Sequence, residues 1–94
     1  MLKVVPSKQF RKDIERDIER AAKRGLDAEL LNDVVQTLAS EQPLDKKYKD
    51  HALTGRYKGF RECHVQPDWL LVYRVEKDIL RLFLFRTGTH SDLF

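Results

Sequence analysis

The chain has one cysteine, Cys63, among 94 residues. A lone thiol forms no internal disulfide and is too little to build a cysteine-rich metal site; its simplest reading is inert core packing. Long apolar runs are missing too. None approaches the roughly 20 residues needed to cross a bilayer, which excludes a spanning helix and points away from membranes. An apolar N-terminal stretch with a small-residue cleavage site is absent, and with the single thiol this leads to the expectation of a reducing cytoplasm. There are no repeats, no low-complexity segments and no linker, so residues 1–94 read as one small domain.

Acidic residues are scarce in one stretch. Between Lys46 and Arg61 there are six basic residues (Lys46, Lys47, Lys49, Arg56, Lys58, Arg61) against one acid, Asp50, with Tyr48, Tyr57 and Phe60 interleaved. Net charge over the whole chain is only +3, so the local excess is the informative part. Cations with interleaved aromatics suit a polyanion with exposed bases, and a solvated loop of scattered lysines is the alternative reading.

What is present is otherwise well patterned. Leu2–Val5 reads as a strand stopped by Pro6. Ser7 is placed to cap a helix from Lys8 to Arg24 with Phe10, Ile14, Ile18, Ala21 and Ala22 on one face, and Gly25 supplies a left-handed stop. Lys12, Glu15, Arg16, Glu19 and Arg20 then form a charged outer face. Asp27 caps a second helix to about Ser40, with Leu30, Leu31, Val34, Val35 and Leu38 as its apolar stripe. Neither helix shows a catalytic pattern. Leu44–Gly59 reads as loop. Phe60–Val65, Trp69–Glu76 and Ile79–Arg86 read as three strands joined by hairpin-length turns, the last apolar on both faces and therefore central. The fold class is α+β, in the order β-α-α-β-β-β, with two helices packed on an antiparallel sheet.

The hairpins bring chemistry together. The end of the first hairpin strand, the start of the second and the end of the third fall at one end of the sheet. His64, Asp68, Trp69, Arg86 and His90 therefore share a rim, while His51 reaches it only if the loop folds back. Histidine titrates near neutrality, and general acid–base help is worth typically about 10²–10⁴-fold. Cleavage of RNA by its own 2′-hydroxyl needs a base, an acid, a cation for the transition state and an aromatic ring to hold a nucleobase. The rim offers each without a metal or other cofactor. Simpler readings compete: Trp69 as core beside Leu71, Tyr73 and Val75, Asp68 and Gly88 as turn residues, and Arg86 as a counter-ion for Asp68 or Asp92. Zinc is disfavoured by the spacing of His51, His64 and His90.

The block Lys-Asp-His-Ala-Leu at 49–53, Gly-Arg-Tyr-Lys-Gly-Phe-Arg-Glu at 55–62, His-Val-Gln-Pro-Asp-Trp at 64–69 and Arg-Thr-Gly-Thr-His-Ser-Asp-Leu-Phe at 86–94 strongly resembles the YafQ-type toxins of bacterial type II toxin–antitoxin systems, within the RelE/ParE superfamily. The resemblance implies a RelE-like fold and a ribosome-dependent endoribonuclease, an mRNA interferase cutting in the A site. It implies a cognate antitoxin, usually a ribbon-helix-helix protein, whose complex with the toxin sits on operator DNA. Its functional set falls on His51, His64, Asp68, Trp69, Arg86, His90 and Phe94. His90 is then the general acid and His64 or Asp68 the base, with acid and base open to exchange. His51 orients the phosphate or shares the base's role, Arg86 meets phosphate charge, and Trp69 and Phe94 shape the base site. Lys49, Arg56, Lys58 and Arg61 are the further substrate-binding candidates. A non-nuclease toxin of the ParE branch, acting on DNA gyrase by binding, is the alternative; it has no need of the histidines.

Overall fold

The computed structural model describes residues 1–94. Strand β1 (Lys3–Pro6) leads into helices α1 (Lys8–Arg24) and α2 (Ala28–Ala39); β2 (His51–Ala52), β3 (Arg61–Gln66), β4 (Trp69–Glu76) and β5 (Arg81–Gly88) follow, and α3 (His90–Leu93) closes the chain. The five strands form one sheet in the order β1-β5-β4-β3-β2. No helix is long and apolar enough to cross a membrane.

The helix starts obey their side chains. Ser7 Oγ accepts from Phe10 N–H at 2.9 Å, Asp27 accepts from Glu29 N–H at 2.9 Å, and Gly25 at φ 66° ends α1 in the left-handed conformation. Both helices cover one face of the sheet. There Phe10, Leu31, Val34, Val35 and Leu38 meet Cys63, Val65, Trp69, Leu71, Tyr73, Leu82 and Leu84 in a continuous core. Each fully buried leucine of this layer contributes roughly 1.5–3 kcal/mol. The other face carries a smaller cluster of Leu70, Val72 and Leu93, flanked by Leu53, Phe60 and Phe85.

Several expectations change. The sheet is not wholly antiparallel: β1 pairs parallel with β5. A hairpin fixes the antiparallel direction of β3, β4 and β5, whereas β1 is joined to the sheet through helices and carries no such constraint. Between Leu44 and Gly59 lies β2, two residues long and too short to leave a periodic signal. β5 begins at Arg81 rather than Ile79, because Lys77–Ile79 forms a 3-10 turn and Leu80 turns left-handed at φ 51°. Ile18 is exposed, not core; α1 instead buries Asp13 and Asp17.

The burial of Asp13 follows from the end of β1, whereas Asp17 is buried against the Trp69 indole and Arg16. Pairing stops at Pro6 with Leu84, so β5 runs on with an unpaired edge. α1 lies along that edge and satisfies it. Ser7 Oγ donates to the Phe85 carbonyl at 2.6 Å, Asp13 accepts from Thr87 N–H at 3.2 Å, and Arg16 donates to the Thr87 carbonyl at 2.8 Å. Gly88 follows at the closest approach: a Cβ there would lie 2.6 Å from Arg16 Nη2 and 2.9 Å from Asp92 Cβ. Gly88 is thus the last residue of β5 in a crowded seam, not a simple turn residue.

Candidate active site

The rim sits where β3 ends, β4 begins and β5 ends. Strand alternation puts His64 and Glu62 on the face away from the two long helices, opposite Leu70 and Val72 in register. Past His64 the register slips, with Gln66 opposite Trp69, so Val65 is an extra residue in a bulge at the mouth of the hairpin.

His90 is the first residue of α3, and its backbone is pinned by a capping box. Thr89 Oγ1 accepts from Asp92 N–H at 3.2 Å, and Asp92 accepts from Thr89 N–H at 3.0 Å. Burial pushes the Asp92 carboxyl up, but the Thr89 N–H, Arg20 at 3.0 Å and Arg16 outweigh it and hold the group at about 2. His90 Nδ1 lies 2.7 Å from Asp68 Oδ1, which also accepts from His90 N–H at 3.0 Å. Those two donors, backbone first, lower the Asp68 carboxyl from its ordinary value. A carboxylate bound to Nδ1 makes that nitrogen the donor and leaves Nε2 as the working atom of the ring.

His64 stands beside this pair, its ring centroid 5.6 Å from that of His90. His51 is 6.4 Å beyond His64. The short strand β2 puts it there, by pairing His51 with Glu62. Both rings turn Nδ1 toward a backbone carbonyl, His51 to Lys49 at 2.7 Å and His64 to Pro67 at 3.3 Å. A carbonyl only accepts, so both Nδ1 atoms carry hydrogen and both Nε2 atoms face inward. Between them lies the buried Glu62, Oε1 at 3.6 Å from His51 Nε2 and 3.8 Å from His64 Nε2. Glu62 was not among the residues singled out from sequence. Its signal was there: an acid two residues before His64, on the same face of the strand.

Arg86 reaches the rim from β5, held from behind. Its Nε donates to Asp13 at 2.7 Å and Nη2 at 3.2 Å, leaving Nη1 without a protein partner. Burial raises the Asp13 carboxyl, yet Arg86 and the Thr87 N–H prevail and keep it below the ordinary range; the same bond to Asp13 raises Arg86. The counter-ion is therefore Asp13, not Asp68 or Asp92.

Trp69 requires a correction. It is 3% exposed, and its Nε1 donates to the buried Asp17 at 2.9 Å. A ring enclosed in the core offers no face for a nucleobase, so its place is in the wall behind the rim. Phe94 is exposed and meets Tyr57 edge-on at 5.5 Å. Lys49, Arg56 and Lys58 are exposed. Arg61 is tied to Asp50 at 3.2 Å, and Asp50 also accepts from the Tyr73 hydroxyl, so Arg61 braces β3 rather than standing free.

Residues 2–94 match the family described as the bacterial toxin of type II toxin–antitoxin systems, YafQ. The chain is 42% identical over 80 residues to the mRNA interferase toxin YafQ of Escherichia coli K12, covering 84% of this chain and 85% of that protein. It is similar in structure to a metal-bound toxin from Helicobacter pylori, with a TM-score of 0.86 and 52% identity over 100% of both chains. It is also similar to the toxin of the E. coli DinJ–YafQ complex, with a TM-score of 0.83 and 38% identity over 100% of this chain and 99% of that one. With a match across nearly its full length, the chain belongs to the YafQ family of toxins of bacterial type II toxin–antitoxin systems.

Proposed function

We propose that this protein is an endoribonuclease that cleaves mRNA in the ribosomal A site by metal-independent acid–base catalysis. The observation that carries the reading is the Asp68–His90 pair, 2.7 Å apart, with His64 5.6 Å away ring to ring. The E. coli relative is called an mRNA interferase, which sets the substrate class.

In the proposed reaction the ribose 2′-oxygen attacks the adjacent phosphorus and loses its proton to the His51–Glu62–His64 group. The bond from phosphorus to the 5′-oxygen breaks, and His90 Nε2 delivers a proton to that oxygen. The products are a 2′,3′-cyclic phosphate and a 5′-hydroxyl. Asp68 takes no proton from substrate; by its bond to Nδ1 it orients the His90 ring so that Nε2 meets the leaving oxygen. Arg86 Nη1 faces the charge that builds on the non-bridging oxygens. Phe94, with Tyr57 behind it, stacks on a nucleobase. The substrate supplies its own nucleophile, which is why the scheme is written without a metal; the metal in the H. pylori toxin is a property of that protein. A DinJ-type antitoxin is the proposed partner, by likeness to the E. coli complex, and the pair is proposed to bind operator DNA.

Programmed ribosomes test the reading. His90→Gln is expected to slow A-site cleavage by about 10²–10⁴-fold while the fold is kept. Wild-type cleavage should survive phenanthroline, which spares the magnesium that ribosomes need. Inhibition of gyrase supercoiling without any mRNA cleavage would overturn the reading in favour of a ParE-like toxin, and a fully active His90→Gln would remove His90 from its role.

A further inference from the structure

Beside His64, on the side away from His90, a cavity of about 420 Å³ opens between α2, the end of β3 and the 3-10 turn Lys46–Tyr48. Leu30, Val65 and Pro67 give it apolar walls, and Tyr48 adds an aromatic surface. Lys47 and Lys49 also line it, and Lys47 Nζ lies 5.1 Å from the Tyr48 ring centroid. The nearby acids are otherwise engaged: Asp45 caps the Lys47 N–H at 2.9 Å, and Asp50 holds Arg61 and Tyr73. The cations are thus left for a ligand. The volume falls within the range of about 300–1,000 Å³ typical of small-molecule sites.

We infer that this cavity receives the nucleotide on the 5′ side of the scissile phosphate, its base against Tyr48 and Leu30 and its own 5′-phosphate against Lys47 and Lys49. An aromatic ring flanked by cations is the composition that binds single-stranded nucleic acid. The side follows from the reaction proposed above, on which the inference rests. His90 serves the leaving 5′-oxygen and so lies toward the 3′ nucleotide. The cavity is lined by His64 and not by His90 or Phe94, so it lies toward the attacking ribose. Lys49 links the two: its left-handed backbone at φ 49° aims the carbonyl that accepts from His51 Nδ1, and the same residue lines the cavity.

The test uses the whole chain and adenosine 5′-monophosphate, which carries the base, ribose and 5′-phosphate of the nucleotide before the cut but not the scissile phosphate, with inorganic phosphate as the comparison. NMR titration should move the resonances of Leu30, Tyr48 and Val65, and phosphate alone should bind more weakly. Tyr48→Ala should weaken nucleotide binding about 5–100-fold, while Tyr48→Phe keeps it. Lys47→Ala, an exposed change that leaves the core alone, should weaken both nucleotide and phosphate. On programmed ribosomes Tyr48→Ala should raise KM and leave kcat nearly unchanged. Shifts confined to His90 and Phe94, or equal binding by Tyr48→Ala and Lys47→Ala, would overturn the inference. The nuclease reading fails separately: a wild-type protein that binds the nucleotide here but cuts no mRNA refutes the reaction and keeps the site. One that cuts mRNA with no response at Leu30 and Tyr48 keeps the reaction and refutes the site.

Discussion

Aspartates are paired in two settings at the same end of the sheet, and water separates their roles. On the α1 side, Asp13 with Arg86 and Asp17 with Trp69 are buried at the acid, 1% and 2% exposed. On the open side, Asp68 with His90 is solvated, its side chains 65% and 55% exposed. A buried acid stripped of its partner is costly, so the first set fixes positions. An exposed pair contributes little to stability and is free to exchange protons, so the second set suits chemistry. The same residue classes give a bracket on one side and a working surface on the other.

Breaking the bracket gives the largest effect expected. Asp13→Ala leaves Arg86 and the Thr87 N–H without their acceptor, and should cost about 3–5 kcal/mol in urea denaturation. A smaller loss, under about 1 kcal/mol, would mean that the buried pair is not what holds the edge of β5. On the open side, Asp68→Asn should slow cleavage on the order of 10²-fold, by releasing the Nδ1 bond that orients the His90 ring, with an unchanged urea midpoint. A variant that loses stability as much as activity would erase the contrast between the two sides. Trp69→Phe keeps an aromatic ring but removes the indole donor to Asp17 Oδ2, leaving that carboxylate with Arg16 alone, for roughly 1–3 kcal/mol. Activity lost in proportion to stability would mark Trp69 as wall; a specific loss of substrate affinity would restore it to the base site.

The smallest effect sharpens the boundary between the sets. Asp92 is held at about 2, below the ordinary 3.8. A carboxyl lowered by folding adds stability above its unfolded value, and that part is lost as pH falls from about 4 through 2. Asp92→Asn should cost about 1 kcal/mol at pH 7, from the weakened capping box, and should flatten the acid limb of the stability profile.

The rim was legible in the sequence because short turns leave few choices. With Gln66-Pro67-Asp68 and Lys77-Asp78 as hairpin connections, the ends carrying His64, Asp68 and Arg86 must meet. His51 was legible only through family likeness, since β2 is two residues long and its neighbours look like loop. Asp13 and Asp17 escaped notice for a different reason. An amphipathic reading assigns buried positions to apolar residues, but α1 packs partly against a strand edge, where the bare Thr87 N–H takes the Asp13 carboxylate, and beside a buried indole whose N–H takes that of Asp17. That competition also put Ile18 outside. Glu62 escaped because a single acid in a strand reads as solvent-facing until the two histidines around it are placed.

Gly88 has a consequence for how this protein can drift in sequence. The space where its Cβ would stand is taken by Arg16, which seals the edge of β5, and by Asp92, which anchors the turn of His90. One added methyl group pushes on both together. A random change at this position therefore presses on the edge of β5 and on the turn that carries His90 at once, so one glycine ties the scaffold and the rim to the same substitution.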